Sequence, residues 1–138
     1  MLKKENGVTL VALVITIIVL LILAGVTLAL VLGDSGIFSK ANKAKADTNV
    51  SSAVESIQLA ASEISMDVVD GTKPAYTSDA TAITDINNQL AYTGNGYSID
   101  SSTKKIKKDN VEITDYAGND VTVTVSITSS GTVKVTKN

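Results

Sequence analysis

Twenty-five consecutive residues without a charge, residues 8–32, constrain this chain more than any other feature. Only Thr9, Thr16, Thr27 and Gly25 interrupt their apolar run. As a helix rising about 1.5 Å per residue, the run is roughly 37 Å long. A bilayer's hydrocarbon core is about 30 Å thick, so such a helix crosses it with some tilt. Before it lies a polar stub, residues 1–7. After it comes a Ser/Thr-rich chain that reads as water-soluble. The mean hydropathy of +0.23 therefore averages two unlike parts.

Composition narrows the function classes. About a hundred residues remain beyond the apolar run, enough for one domain with a small core. The formal charge is −2, and Lys3, Lys4 and Glu5 of the stub contribute +1, which leaves −3 for the rest. That mild acidity argues against nucleic acid as a direct ligand. The chain has no cysteine and no histidine. Disulfides, thiolate chemistry and zinc-thiolate sites are thereby excluded, and the commonest general base is missing. No Gly-x-Ser-x-Gly, P-loop or dinucleotide fingerprint is present. Neither catalysis nor a cofactor nor a metal is expected, although a Ser/Lys pair brought together by folding stays open.

Three readings fit the N-terminal run. A cleaved secretory signal has an apolar region of about 7–15 residues and a small-residue cut site. This run is longer and lacks a convincing A-x-A site. An uncleaved single-pass anchor fits the length. The third reading rests on the boundary itself, Lys3-Lys4-Glu5-Asn6-Gly7 followed by Val8-Thr9-Leu10-Val11-Ala12.

That boundary resembles the type III signal of type IV pilins and pseudopilins, and the likeness of layout covers about residues 3–70. The resemblance implies that a prepilin peptidase cuts between Gly7 and Val8 and that Val8 becomes an N-methylated terminus. The apolar helix is then kept as the assembly core. Thr9 and Leu10 match the family's usual second and third mature residues, whereas Val8 stands where Phe is usual. Ala12 is the larger departure, because the family normally carries Glu there, paired in the membrane with a neighbour's amino terminus. An ionisable group at that depth needs such a partner. With Ala12 this chain enters a filament by packing alone, takes a special position such as the tip, or does not polymerise. Gly25, Ala29 and Gly33 are spaced by four, so they share a helix face of the kind that lets membrane helices approach closely.

Four divisions follow: a leader at 1–7, an apolar transmembrane and assembly helix at 8–32, an amphipathic soluble helix at 33–69 and a β-rich head at 70–138. Gly33-Asp34-Ser35-Gly36 marks a soft joint, where Asp34 or Ser35 caps a new helix. Val50, Val54, Ile57, Ala61, Ile64 and Val68 then recur at helical spacing as one narrow apolar stripe. The lysines before the stripe, Lys40, Lys43 and Lys45, read as a solvated face or a contact with lipid headgroups. Asp70-Gly71 stops the helix. In the head, Ser78 or Asp79 caps a short helix through Leu90. Residues 97–100 and 106 onward read as strands, and Val111-Glu112-Ile113 alternates briefly. The clearest strand runs from Val121 to Ile127 and turns at Ser129-Ser130-Gly131 into a last strand at 132–136.

The expected fold is α+β: a long helix packed on a single antiparallel sheet of three or four strands, as the pilin resemblance also implies. Two head clusters are candidates for chemistry. Lys104, Lys105, Lys107 and Lys108 form either an acid-binding patch or a solvated hairpin edge. Asp115, Asn119 and Asp120 offer oxygens to calcium or simply make a turn, and their spacing is not that of an EF-hand. The resemblance implies a homopolymer, or a mixed polymer with related pilins, first held in the membrane and then displayed at the cell surface. The alternative is a membrane-anchored extracellular module that never polymerises.

Overall fold

A computed structural model describes residues 2–33 and 36–138, with the backbone alone for residues 2–6. In chain order the elements are α1 (Leu2–Leu32), α2 (Ile37–Val69), α3 (Asp79–Thr93), β1 (Tyr97–Ile99), β2 (Ile106–Lys108), β3 (Val111–Glu112), β4 (Val123–Ile127) and β5 (Val133–Lys137). The chain divides into two compact units, Met1–Lys43 and Ala44–Asn138.

The first unit is built on α1. Its sequence holds many β-branched residues, which are modest helix formers in water. In hydrocarbon, however, only a helix satisfies the backbone of a lone span. The helix ends at Leu32, where the Gly33 N–H closes on the Ala29 carbonyl at 3.0 Å. The Gly36 N–H bonds Gly33 at 2.6 Å, and the Lys40 N–H bonds Gly36 at 3.0 Å as helix resumes. The expected caps Asp34 and Ser35 lie outside the described residues.

The second unit is the α+β head. Along α2 the buried residues are Val50, Ala53, Val54, Ile57, Ala60, Ala61 and Ile64, with Val68 half-buried. The stripe is thus wider than the sequence spacing indicates, because Ala53 and Ala60 fill its flank. Gly71, at φ 84°, takes the left-handed conformation just past the helix end. In α3 the Ser78 side chain accepts from the Ala80 N–H at 3.2 Å, and Gly94 at φ 70° closes the other end. The helix runs three residues past Leu90 because Gly94 is the first residue there that adopts this stop without strain. Ala82, Ile83, Ile86 and Leu90 face inward.

The expectation of one sheet is corrected. There are two: antiparallel β1-β2-β3, and the antiparallel hairpin β4-β5. The segments that flank them meet at two isolated bridges, Lys105 opposite Thr122 and Thr114 opposite Asp120. The Ile106 N–H bonds the Val121 carbonyl at 2.9 Å, the Ile113 N–H bonds Ile106 at 2.9 Å, and the Val121 N–H bonds Ile113 at 3.0 Å. Three short segments therefore converge on Ile106 and spend their hydrogen bonds at one point, so no ladder continues through it. For the same reason the strand expected from Val121 begins at Val123. The core gathers Ile57 and Ile64 from α2, Ile83, Ile86 and Leu90 from α3, and Ile106 and Val123 from the sheets.

β2 turns into β3 through Asp109-Asn110, with Lys108 paired to Val111. Both turn residues have positive φ, 51° and 68°. That is the two-residue hairpin geometry in which glycine is favoured at the second position. Asn110→Gly is expected to stabilise the head by about 0.5 kcal/mol, since even Asn carries some left-handed strain. Thermal unfolding followed by circular dichroism checks the sign.

Candidate functional site

The strongest functional feature is α1. Its large apolar side chains are exposed all round: Val8 is 71% exposed, Leu21 67%, Ile15 55% and Val19 47%. It is the one helix among the described residues long and apolar enough to cross a membrane. The Thr16 and Thr27 hydroxyls are satisfied within the helix. Thr16 Oγ1 lies 3.0 Å from the Ala12 carbonyl and 2.8 Å from that of Leu13, and Thr27 Oγ1 donates to Leu23 at 2.7 Å. Such back-bonding lets a threonine sit in an apolar medium without a stranded donor.

The residues singled out for processing and assembly all fall on this element or at its end. Gly7, Val8, Thr9, Leu10 and Ala12 lie in continuous helix, since α1 starts at Leu2. A side chain built on Gly25 meets nothing within 4 Å, so that surface is open. Gly33 lies one residue past the helix, where a Cβ would come 2.8 Å from the Ala29 carbonyl oxygen. It closes the helix end, while Gly25 and Ala29 sit within the helix.

The lysines of the 104–108 run are engaged within the head. Lys104 pairs with Asp79 at 2.8 Å, Lys107 with Asp100 at 2.8 Å, and Lys105 with both Asp120 at 2.7 Å and Glu112 at 3.1 Å. The Lys108 ammonium lies 5.2 Å from the centre of the Tyr97 ring, a cation–π distance. The Lys107 ammonium holds the Asp100 carboxyl well below the usual carboxylate range, helped by the Thr103 and Ser102 donors. Asp120 and Glu112 push Lys105 upward. The depressed carboxylate contributes stability above the ordinary carboxylate range and loses it as pH falls. The raised lysine contributes below the ordinary lysine range and loses it as pH rises. This run is therefore a set of struts between β1, β2, β3 and α3, which the lysine spacing alone did not reveal.

The calcium candidates are similarly engaged. The Asp115 carboxylate accepts the Asn119 N–H at 2.9 Å and the Asn119 side-chain amide at 3.1 Å, while Asp120 faces Lys105. Among the described residues no three metal-ligating side chains converge. A cleft of about 230 Å³ is lined by Lys73, Tyr76, Thr77, Thr81 and Asp85 among others. Its polar groups also spend themselves locally. The Tyr76 hydroxyl donates to Asp85 at 2.6 Å, and Lys73 reaches the same oxygen at 3.2 Å. Burial, then the Asp85 hydrogen bond, drives the Tyr76 hydroxyl far above its ordinary pKa. The Tyr76 hydrogen bond in turn lowers that of Asp85. Among the described residues no lysine ammonium bonds a serine hydroxyl.

Two residues mattered that sequence reasoning passed over. Ser65 Oγ accepts the Val133 N–H at 2.9 Å and also lies 3.2 Å from the Val133 carbonyl, and Gln58 Nε2 donates to the Val135 carbonyl at 3.2 Å. Together they seal the outer edge of β5, which would otherwise template pairing with another strand. The signal was two polar residues seven apart, bordering the apolar stripe. Ser65→Ala is expected to destabilise the head by about 1–2 kcal/mol by stranding half-buried backbone groups. Thermal unfolding and light scattering during refolding read both the loss and the exposed edge.

What remains is α1, whose apolar side chains are exposed, joined in sequence to the head. Comparison with protein-family models, curated proteins and solved structures finds no match to this chain.

Proposed function

We propose that the chain is a structural subunit of a type IV pilus-like surface filament or pseudopilus, held together by α1. A prepilin peptidase removes residues 1–7, Val8 becomes the N-terminus, and α1 passes from the bilayer into a bundle of like helices. The single observation that carries this is the uncharged run 8–32 of α1, with its apolar side chains exposed. Water does not tolerate that surface, since burial stabilises apolar area by about 25 cal/mol per Å². Lipid covers it before assembly, and copies of the chain or related pilins cover it afterwards. The Lys3-Lys4-Glu5-Asn6-Gly7 boundary supports the processing step.

The function is mechanical and needs no cofactor. Packing between helices takes over the role of the carboxylate that Ala12 lacks. Shearing of intact cells tests the reading. The chain is expected in the sheared fraction as filaments visible by negative-stain electron microscopy. A chain that stays with the membrane pellet after shearing is a tether, which contradicts it.

A further inference from the structure

The head leaves one helix face without a partner. On α2, opposite the buried stripe, Ile37, Ala41, Ala44, Thr48, Ser52, Glu55, Leu59, Ser62, Met66 and Val69 recur at intervals of three and four. All are exposed, with Ile37 at 75%, Leu59 at 64% and Met66 at 66%. This second stripe changes character along its length. Residues 37–48 put small Ala41 and Ala44 at the centre, with Lys40 and Lys45 on the flanks. Residues 59–67 put Leu59 and Met66 at the centre, with Glu63 and Asp67 alongside. Here a groove of about 480 Å³ opens between α2 and α3, floored by Leu59 and Met66 and reaching Gln89.

The two stretches complement each other. Ile37 and Ala44 are seven residues apart, as are Leu59 and Met66, so an Ile/Ala seam meets a Leu/Met seam in register. Lys40 and Lys45 enter no ion pair within the described residues. Glu63 bonds only the neutral Gln89 amide, so its charge stays uncompensated. Asp67 shares Lys73 at 3.7 Å with a second carboxylate.

We propose that this face is a contact between copies of the chain, in which residues 37–48 of one copy lie in the 59–67 groove of the next, with Lys45 against Glu63. The inference rests on the filament reading and adds a second, water-side interface to the one made by α1. Because the two stretches differ, each copy keeps one of them free. The contact is heterologous and propagates without closing, as a fibre requires. Charge complementarity at the flanks sets the order of copies, as flanking charges do between paired helices.

The absence of cysteine makes a direct test clean. A full-length chain carrying both Lys45→Cys and Glu63→Cys is expected to give a disulfide ladder extending beyond dimers when its filaments are oxidised. Either single variant is expected to give none. Separately, Glu63→Lys is expected to lower filament recovery about tenfold, and adding Lys45→Glu is expected to restore it to within about twofold. Filaments of the double-cysteine chain that stay monomeric after oxidation overturn the contact and leave the filament reading standing. If that chain fails to assemble, the charge-reversal pair decides, and wild-type recovery from Glu63→Lys overturns the contact. Loss of binding to anionic vesicles in Lys45→Glu, with filament recovery unchanged, assigns the lysines to lipid and overturns it too. Failure of the unaltered chain to form any filament overturns both readings together.

Discussion

Val19→Lys is expected to weaken the hold of α1 on a bilayer while leaving the head folded. Val19 sits midway along the uncharged run, 47% exposed, with no carboxylate within the run to pair with an ammonium. A lysine at the centre of a spanning helix costs about 3 kcal/mol. That is about a hundredfold in an insertion equilibrium, at 1.4 kcal/mol per tenfold. Carbonate extraction of membranes should release more of the Val19→Lys chain than of the unaltered one, although the remaining apolar residues still favour insertion. Thermal unfolding of the head should not move, because Val19 belongs to the other compact unit. A Val19→Lys chain that extracts no more readily than the unaltered one would mean that α1 is held by something other than its apolar surface.

Ile83→Ala acts on the other unit and should be among the most damaging single truncations in the head. Ile83 is fully buried on α3, within the core cluster that also holds α2 and both sheets. Truncating a buried isoleucine costs about 2–5 kcal/mol, transfer and cavity together. A small domain has only about 5–10 kcal/mol to lose. The midpoint of thermal unfolding should therefore fall by more than about 10 °C. Leu59→Ala on exposed α2 is the matched control and should leave the isolated subunit's midpoint within a degree or two. Equal losses from the two would contradict the placement of the core.

These two substitutions mark what the sequence made legible. Residues 8–32 declare themselves through length and absence of charge, signals that need no tertiary context. The stripe from Val50 to Ile64 and the alternation from Val121 to Ile127 were similarly readable, because burial on one side imposes periods of 3.6 and 2. The partnering of single residues was not readable. Nothing in the spacing of Lys104, Lys105 and Lys107 shows that Asp79, Asp120 and Asp100 meet them, since those contacts are made by chain reversals. The split into two sheets depended on the convergence of Ile106, Ile113 and Val121, a long-range event with no local signature. Ser65 and Gln58 looked like ordinary polar residues beside a stripe until β5 lay against them. Even the second stripe of α2 is spaced as regularly as the first. It was passed over because alanine, serine and threonine do not read as a face until the opposite side is seen to be buried.

In the proposed filament α1 survives processing and becomes the binding element of the polymer. The mass of the chain recovered from cell surfaces tests it most directly. The account predicts a species lacking residues 1–7, beginning at Val8 and heavier by one methyl group, found in material that sediments as filaments. A chain still carrying Met1 and extracted from membranes as a single copy would contradict it.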